Sequence, residues 1–262
     1  MSFKLYAYVL PNQDYTTRGE YWRGEEVEEH LALTQHQTIL PTALRFLPRQ
    51  GRILDAGCGL GRWLIYLRHL SYPVEGMDIS ADALAAIRNY DKSIPLWQGD
   101  VQRTPFADEC FDAIISLGVI EHFEAGPQKA LEEAHRLLKK AGLLLVTVPY
   151  QNLIRRLIYR PFISLSGKRA EQRGLHPQFA EYRFSKDELV YYTEEAGFEV
   201  LLVQPDDFAP PRSLGLYVDW GRFIGNRHKR WELNALGRIL LRFLSLFPLW
   251  FYCSGILVVA RK

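Results

Sequence analysis

The stretch Gly51–Leu67 reads GRILDAGCGLGRWLIYL and predicts a strand, a glycine turn and a helix in that order. A short apolar strand ends at Asp55, and Gly57, Gly59 and Gly61 follow as a tight turn. Large apolar residues then recur at helical spacing. This arrangement aims backbone N–H groups and the positive end of a helix at a ligand, and glycine is needed where a Cβ would block that ligand.

The spacing and charge of the glycine turn restrict the ligand that it can bind. Its pattern is G-x-G-x-G, and Arg62 stands where a dinucleotide fingerprint has its third glycine. The Gly-Lys-Ser/Thr sequence of a Walker-type phosphate loop is absent. The acid Asp55 suits a cationic ligand better than a pyrophosphate. An ordinary strand-to-helix turn that contains glycines is the alternative interpretation.

The sequence D-A-G-C-G-x-G at residues 55–61 resembles motif I of the class I S-adenosylmethionine-dependent methyltransferases. Their cofactor carries an amino group, a carboxylate and a sulfonium, so an acid beside free N–H groups suits it chemically. The resemblance implies that S-adenosylmethionine is the cofactor. It also implies that Asp55 and the three glycines Gly57, Gly59 and Gly61 belong to the cofactor site.

Strands and helices alternate through five units between residues 51 and 150. The strands are apolar runs, such as FDAIISL at residues 111–117, and helices follow them. This alternation predicts a doubly wound parallel sheet with its ligand at the carboxyl ends of the strands. The resemblance extends the prediction to an α/β fold with a seven-stranded, mainly parallel, Rossmann-like sheet, an antiparallel last strand at 255–260 and helical inserts.

Further candidate site residues fall at the predicted strand ends. Asp78 ends the second strand, and an acid there can accept both hydroxyls of a ribose. The resemblance implies that Asp78 binds the cofactor ribose and that Asp100 and the N–H of Val101 bind the adenine. Ile79 and Leu117 complete the residues expected at the cofactor. A capping role for Asp78 and a turn role for Asp100 are the alternatives.

Length and composition describe an ordinary globular protein. The chain has 262 residues, 48% of them apolar and 24% charged, and its net charge of +2 gives no global attraction to nucleic acid or anionic membranes. Three cysteines without C-x-x-C spacing argue against a zinc site or a disulfide framework. The sequence does not open with a secretory signal, and we expect a cytoplasmic protein.

The C-terminal region combines basic and apolar residues. Residues Arg212–Arg242 contain seven lysines and arginines against two acids, a net charge of +5. Within this region Trp231–Leu246 is compatible with a helix that lies either on a membrane surface or against the sheet. The uncharged stretch Phe243–Ala260 is at the lower length limit of a membrane span. Because Pro248 and Gly255 interrupt it, we expect a helix end and then a buried strand.

The segments outside the glycine-turn region are expected to cover the site. We expect one or two helices at residues 25–47, with a break at Pro41, and we expect Arg23 to hold the cofactor carboxylate unless it is a surface residue. The stretch from Lys168 to Arg173 looks loop-like. The predicted divisions are a helical cap (1–50), a cofactor-binding core (51–150), an insert over the active site (151–183), and the rest of the core (184–262) with a helical basic insert (205–250).

GVIEHF at residues 118–123 resembles the branch of the family that methylates small molecules such as quinones, sterols and polyketides. Methyl transfer needs the acceptor in line with the methyl group and, for a hydroxyl, a base. His122 is the candidate base, and a structural bond to a backbone carbonyl is its alternative. Some relatives bind a divalent metal through E-x-x-E-H, but Gly118 replaces the first acid here, so we predict no metal.

Both inserts are basic and rich in aromatic residues. We therefore expect a small or amphipathic acceptor with an anionic part, such as a lipid, a quinone-like compound or a lipid-linked sugar phosphate, methylated on oxygen. A peripheral contact with the inner face of a membrane through residues 205–250 belongs to this hypothesis, and no nucleic acid partner is expected. The alternatives are an RNA methyltransferase and a non-catalytic scaffold that binds the cofactor.

Overall fold

The computed structural model describes residues 3–11, 27–206, 215–226, 228 and 232–262. Its strands are β1 (Phe3–Val9), β2 (Ile53–Ala56), β3 (Val74–Asp78), β4 (Leu96–Gln98), β5 (Phe111–Leu117), β6 (Leu138–Pro149), β7 (His176–Arg183), β8 (Glu199–Asp206) and β9 (Gly255–Arg261). Its α-helices are α1 (Val27–Thr34), α2 (Leu40–Phe46), α3 (Arg62–His69), α4 (Ala81–Tyr90), α5 (Gln128–Leu137), α6 (Arg160–Gln172), α7 (Lys186–Glu195), α8 (Gly215–Ile224) and α9 (Ala235–Leu244). Short 3-10 turns cover Ile120–His122 and Leu249–Phe251, and a π-helical turn covers Arg155–Tyr159.

Seven strands form one sheet in the order β4-β3-β2-β5-β6-β9-β8. Strands β2 to β6 are parallel to one another, whereas β9 lies antiparallel between β6 and β8. Every residue of β2 and β3 is buried, as expected for parallel strands that are covered on both faces. The predicted α/β fold, with a seven-stranded, mainly parallel sheet and an antiparallel last strand, is confirmed.

Local signals fix where several helices begin. Ser80 accepts a hydrogen bond from the N–H of Ala83 at the start of α4. Ser185 and Glu188 form a reciprocal capping box at the start of α7. Pro41 lies in the first turn of α2, where a missing N–H costs nothing, so the predicted break separates α1 from α2.

Two segments differ from the expectation. The stretch from Lys168 to Arg173 is not a loop, because α6 runs through most of it and β7 follows. Strand β1 pairs antiparallel with β7, with Phe3 opposite Arg183, so the first 50 residues contain a strand besides the expected helices. A two-stranded ladder between segments so distant in sequence leaves little local signal, because each strand is stabilised mainly by its partner.

The C-terminal stretch Phe243–Ala260 contains the end of α9, a short turn and then the buried strand β9, as predicted. Helix α9 packs beside α8 around Ile224, Leu233 and Leu244. Among the described residues, no helix has the length and apolar character needed to cross a membrane.

Candidate cofactor and acceptor site

The carboxyl ends of four neighbouring parallel strands bring predicted site residues to one edge of the sheet. Gly57 directly follows β2, and Asp78 ends β3. Asp100 lies two residues beyond β4, and Leu117 ends β5. This edge is where doubly wound sheets bind their ligands. Arg23, the remaining predicted cofactor residue from the N-terminal segment, lies outside the described residues.

The glycine turn is held between β3 and the loop that follows β5. The N–H groups of Gly57 and Cys58 both donate to the carbonyl of Met77, at 2.7 and 3.0 Å. Gly57 has a φ of +86°, and a Cβ on it would lie 2.5 Å from Cγ2 of Val119. Only glycine satisfies both this backbone conformation and this close approach. Gly61, with a φ of +73°, is the N-cap of α3, and the N–H of Leu64 in the first turn of that helix donates to the carboxyl group of Asp55.

The carboxylate of Asp78 ties the glycine turn to the end of β3. Its Oδ2 accepts a hydrogen bond from the N–H of Gly59 at 2.7 Å, and its Oδ1 accepts one from the N–H of Ser80 at 2.8 Å. The side chain is buried. Each carboxylate oxygen has a second acceptor direction, so the same group can also receive two hydroxyl donors. The geometry shows the turn-holding role and leaves acceptor directions for a ribose, and the ribose-binding role of Asp78 stays a prediction.

Asp55 is a second buried acid beside Asp78. Burial, and then the charge of Asp78, raise the pKa of the Asp55 carboxyl from 3.8 to about 7, against the opposing effect of Arg62. Two carboxyl groups on adjacent strands give this edge a negative potential. A cationic ligand would favour the ionised form of Asp55. The pair therefore fits the amino and sulfonium groups of S-adenosylmethionine.

The remaining predicted cofactor residues lie in more open positions. Oδ1 of Asp100 accepts a hydrogen bond from the N–H of Gln102 at 2.9 Å, which is the turn role that the sequence left as an alternative. Asp100 and Val101 are both partly exposed, and Ile79 is exposed beside Asp78. Their exposure leaves them accessible to a ligand. The adenine-binding role of Asp100 and Val101 stays a prediction.

His122 lies in the 3-10 turn after β5, at the same edge of the sheet. Its Nδ1 is 2.9 Å from the carbonyl oxygen of Ala180 in β7. Since a carbonyl only accepts hydrogen bonds, Nδ1 carries the proton and Nε2 keeps its lone pair. This is the structural contact that the sequence left as an alternative, and it also prepares Nε2 to accept a proton. The base role of His122 stays a prediction.

Two buried polar side chains on the acceptor side were not predicted as site residues. Leu117 in β5 pairs with Thr147 in β6, so Glu121 and Gln151 each lie four residues beyond this pair, past neighbouring strand ends. Both side chains are buried, and Oε2 of Glu121 and both amide atoms of Gln151 have no hydrogen-bond partner in the described chain. Burial raises the pKa of Glu121 to about 7. Such atoms are costly unless a ligand or water satisfies them.

The signal that could have found these two residues was weak. Glu121 stands in the quoted GVIEHF segment, and Gln151 follows the strand-ending Pro149. A polar residue after a strand usually lies in an exposed loop. The described residues contain no group of three or more histidine, cysteine, aspartate or glutamate side chains placed to hold a metal ion. The expectation of a metal-free site stays a prediction.

Comparisons with known proteins identify the domain that contains this site. Residues 54–146 match a family model described as a methyltransferase domain. Residues 54–146 therefore form a methyltransferase domain, and the fold is that of the class I, S-adenosylmethionine-dependent methyltransferases. A protein solved in complex with the Trm112 methyltransferase activator of Haloferax volcanii has the same fold, with a TM-score of 0.60, 20% identity and coverage of 90% of this chain and 92% of that one.

Curated relatives match the methyltransferase domain over a limited length. The uncharacterized methyltransferase YodH of Bacillus subtilis is 35% identical over 97 residues, 36% of this chain and 41% of the relative. Malonyl-[acyl-carrier protein] O-methyltransferase of Pectobacterium atrosepticum is 32% identical over 93 residues, 36% of each chain. The tRNA (carboxymethyluridine(34)-5-O)-methyltransferase alkbh8 of Xenopus tropicalis is 32% identical over 129 residues, 47% of this chain and 20% of the relative. The chain thus spans about two fifths or less of these relatives.

Proposed function

We propose that this protein transfers the methyl group of S-adenosylmethionine to an oxygen atom of a small or amphipathic acceptor. The observation that carries the proposal is the carboxylate of Asp78, buried at the end of β3 and bonded to the N–H groups of Gly59 and Ser80. Asp78 would hold the ribose, and Asp55 would face the cationic groups. When bound, the cofactor supplies an electrophilic methyl group to this edge of the sheet.

The chain's own residues prepare the acceptor for an in-line reaction. Nε2 of His122 accepts the proton of an acceptor hydroxyl, since the bond from Nδ1 to Ala180 fixes the tautomer. Glu121 and Gln151 orient the acceptor with their unpaired buried oxygen and nitrogen atoms. Satisfying these atoms would strengthen binding of an acceptor with matching polar groups and disfavour one without them.

Two features support an amphipathic acceptor. Tyr159 of the insert 151–183 and Trp220 of the insert 205–250 are in ring contact, with centroids 5.5 Å apart, and Arg155 of the first insert donates to the carbonyls of Tyr150 and Ser254 beyond the end of β6. Two relatives have names that join an O-methyltransferase activity to a carboxyl-bearing group, malonyl or carboxymethyl. A lipid, a quinone-like compound or a lipid-linked sugar derivative would be an amphipathic acceptor of this kind. Peripheral membrane contact through residues 205–250 would bring such an acceptor to the site.

Calorimetric titration with S-adenosylmethionine and S-adenosylhomocysteine tests cofactor binding. We expect micromolar binding to the wild type and at least about a tenfold loss in Asp78→Ala, because two hydroxyl acceptors are removed. Glu199→Ala is the matched control, since this acid lies on β8 at the far edge of the sheet and pairs with Arg261 at the surface. If the wild type binds neither ligand, the proposal is wrong. The scaffold interpretation then also fails, because it too requires cofactor binding.

An RNA acceptor is the second candidate, because one relative is named as a tRNA methyltransferase. Incubation with labelled S-adenosylmethionine and either total tRNA or a panel of prenylated, acyl and carboxylic acceptors separates the two candidates. Label in RNA that nuclease releases would replace the small-molecule proposal. Label extracted into organic solvent would support it. Cofactor binding without label in either fraction would favour the non-catalytic scaffold.

A further inference from the structure

The helical inserts expose a set of large apolar side chains at the surface. Six of these side chains, between 46% and 79% exposed, define what we name the apolar face: Leu157, Ile158 and Phe162 in the first insert and Ile239, Phe243 and Leu246 in the second. Single exposed apolar residues are ordinary, but a continuous set on helices marks an interaction surface. The question is whether the two groups form one surface and what covers it.

Ring contacts join the two inserts into one body. The ring centroids of Phe162 and Trp220 are 5.3 Å apart, and those of Trp220 and Phe223 are 6.2 Å apart. Helix α8 is in turn bonded to the start of α9, where the N–H of Asn234 donates to the carbonyl of Ile224 at 2.8 Å. The exposed residues of α6 and α9 are therefore connected through α8.

A buried ion cluster fixes this body to the sheet. Nε of Arg155 is 2.6 Å from Oδ2 of Asp219 in α8, and both side chains are almost fully buried. The same guanidinium donates to the carbonyls of Tyr150 and Ser254, at 2.6 and 2.7 Å, where β6 ends and β9 begins. Because β6 is parallel to β5, this is the edge that holds Glu121. The apolar face is thus anchored to the acceptor side of the molecule.

The segments that carry the apolar face have an excess of positive charge. Segments 153–170 and 233–262 contain no aspartate or glutamate, and the acids that border them are Glu171 at the end of α6 and Glu232 before α9. The acid of α8, Asp219, is neutralised inside the cluster. The exposed cations on the same segments include Arg156, Arg160, Arg238 and Arg242. Apolar side chains beside an excess of cations complement an anionic lipid surface, whose headgroups attract the cations while acyl chains receive the apolar groups.

We propose that the apolar face docks the protein on an anionic lipid bilayer, with residues of both inserts entering the interface. The surface includes α6 and the π-helical turn before it, and so extends beyond the basic insert at 205–250. It rests on the proposed function for the nature of the acceptor, which the bilayer would deliver to the edge that holds Glu121 and Gln151. Docking itself requires neither cofactor nor acceptor, so it is measured without them.

Vesicle flotation of the full chain tests this docking. The vesicles are phosphatidylcholine alone, or phosphatidylcholine with 30% phosphatidylglycerol, at low and high salt. We expect wild type to float with anionic vesicles, more weakly at high salt and more weakly with neutral vesicles. Ile158→Glu combined with Ile239→Glu should reduce binding at least about tenfold, since two apolar groups are replaced by anions. Leu201→Glu on β8, an exposed apolar position outside the face, is the matched control.

Several outcomes would overturn docking on lipid. Docking is contradicted if wild type stays at the bottom of the gradient with both kinds of vesicle. It is also contradicted if the variant with both glutamates floats like wild type. A wild-type dimer that the glutamate pair dissociates would instead assign the face to a second copy of the chain. Circular dichroism and titration with S-adenosylhomocysteine verify that each variant is folded. If wild type floats with anionic vesicles but does not bind the cofactor, the proposed function is rejected and the docking proposal still holds.

Discussion

At the scale of single residues, the buried carboxyl of Asp55 makes stability depend on pH. Its pKa is about 7 in the folded chain, against 3.8 as the ordinary value. Because the pKa is higher in the folded state, the contribution of Asp55 to the free energy of unfolding is fully present below pH 3.8. This contribution is lost as the pH rises through about 7. We expect Asp55→Asn to remove this loss. Its free energy of unfolding relative to wild type should be more positive at pH 8 than at pH 5.

Urea unfolding of the ligand-free proteins at the two pH values measures this difference. Asp112→Asn is a useful comparison, because hydrogen bonds from Lys139 and from the backbone of Arg52 outweigh burial there and lower the pKa of Asp112. The comparison variant should show the opposite sign of pH dependence below about pH 4, and little change between pH 5 and 8. A constant difference between wild type and Asp55→Asn over this range would contradict a raised pKa at Asp55.

The tautomer of His122 allows its structural and chemical roles to be separated. His122→Ala removes both the bond to Ala180 and the proton acceptor, whereas His122→Asn keeps an N–H donor near the position of Nδ1 and has no base. We expect both variants to bind S-adenosylhomocysteine within about twofold of wild type and to lose methyl transfer by about 10²–10⁴-fold. Once an acceptor is in hand, single-turnover rates measure this loss. Rescue of activity by asparagine would assign His122 a structural role.

The positions of the candidate site residues were predictable where they depend on local spacing. Asp78 ends β3 and Asp55 is the penultimate residue of β2, so the structure places both at the expected edge, and their binding roles stay predictions. The burial of Gln151 was not predictable, because its N–H donates to the carbonyl of Phe184, which follows the unforeseen strand β7. A residue's exposure depends on what packs over it, and that partner lies far away in the sequence.

At the scale of secondary-structure elements, the cluster of Arg155, Asp219 and Arg183 holds α8 and the π-helical turn against β7. Nη1 of Arg183 lies 2.9 Å from Oδ1 of Asp219, as an ion contact without hydrogen-bond alignment. Removing the acid leaves the buried guanidinium of Arg155 without the charge partner described for it, and leaves that of Arg183 with Glu181. We expect Asp219→Ala to lower the free energy of unfolding by about 3–5 kcal/mol, measured by urea denaturation.

Glu199→Ala is the control for this substitution. It breaks the exposed pair with Arg261 and should cost at most about 1 kcal/mol, because solvent screens surface ion pairs. A loss below about 1 kcal/mol in Asp219→Ala would show that the cluster contributes no more than a surface pair. If the variant instead unfolds in two steps, the helical inserts separate from the sheet before the core unfolds.

Elements with their own periodicity were predicted, and elements that depend on a distant partner were not. Strand β5 and the capped helices α4 and α7 carry complete local signals of apolar runs and N-cap residues. Helix α6 begins at Arg160 and contains Pro161 and Gly167, so its helical signal is weak. Within the described part of the chain, strand β7 pairs with β1 alone, and neither strand shows strict alternation of buried and exposed residues.

At the scale of the whole molecule, the cofactor residues and the apolar face depend on different packing clusters. The glycine turn and the ends of β2 and β3 pack in the two clusters on the faces of the sheet. The apolar face is supported by a third cluster around Ile224 and Tyr252. Net charge is also divided, since Arg212–Arg242 carries +5 and the rest of the chain therefore carries −3. Cofactor binding and lipid docking should be separable in one molecule.

This separation gives a prediction for combined variants. Asp78→Ala should keep wild-type flotation, and the pair Ile158→Glu with Ile239→Glu should keep wild-type affinity for S-adenosylhomocysteine. In the triple variant, the loss of cofactor affinity should equal that of Asp78→Ala, and the loss of lipid binding should equal that of the glutamate pair. Both should agree to within about 0.5 kcal/mol, as for sites without shared contacts. Calorimetry and flotation on the same preparations measure both terms. A coupling free energy above about 1 kcal/mol between the two sites would mean that both sites bias a common conformational change. The buried Arg155–Asp219 pair is the contact that would then transmit this change between the inserts and the sheet.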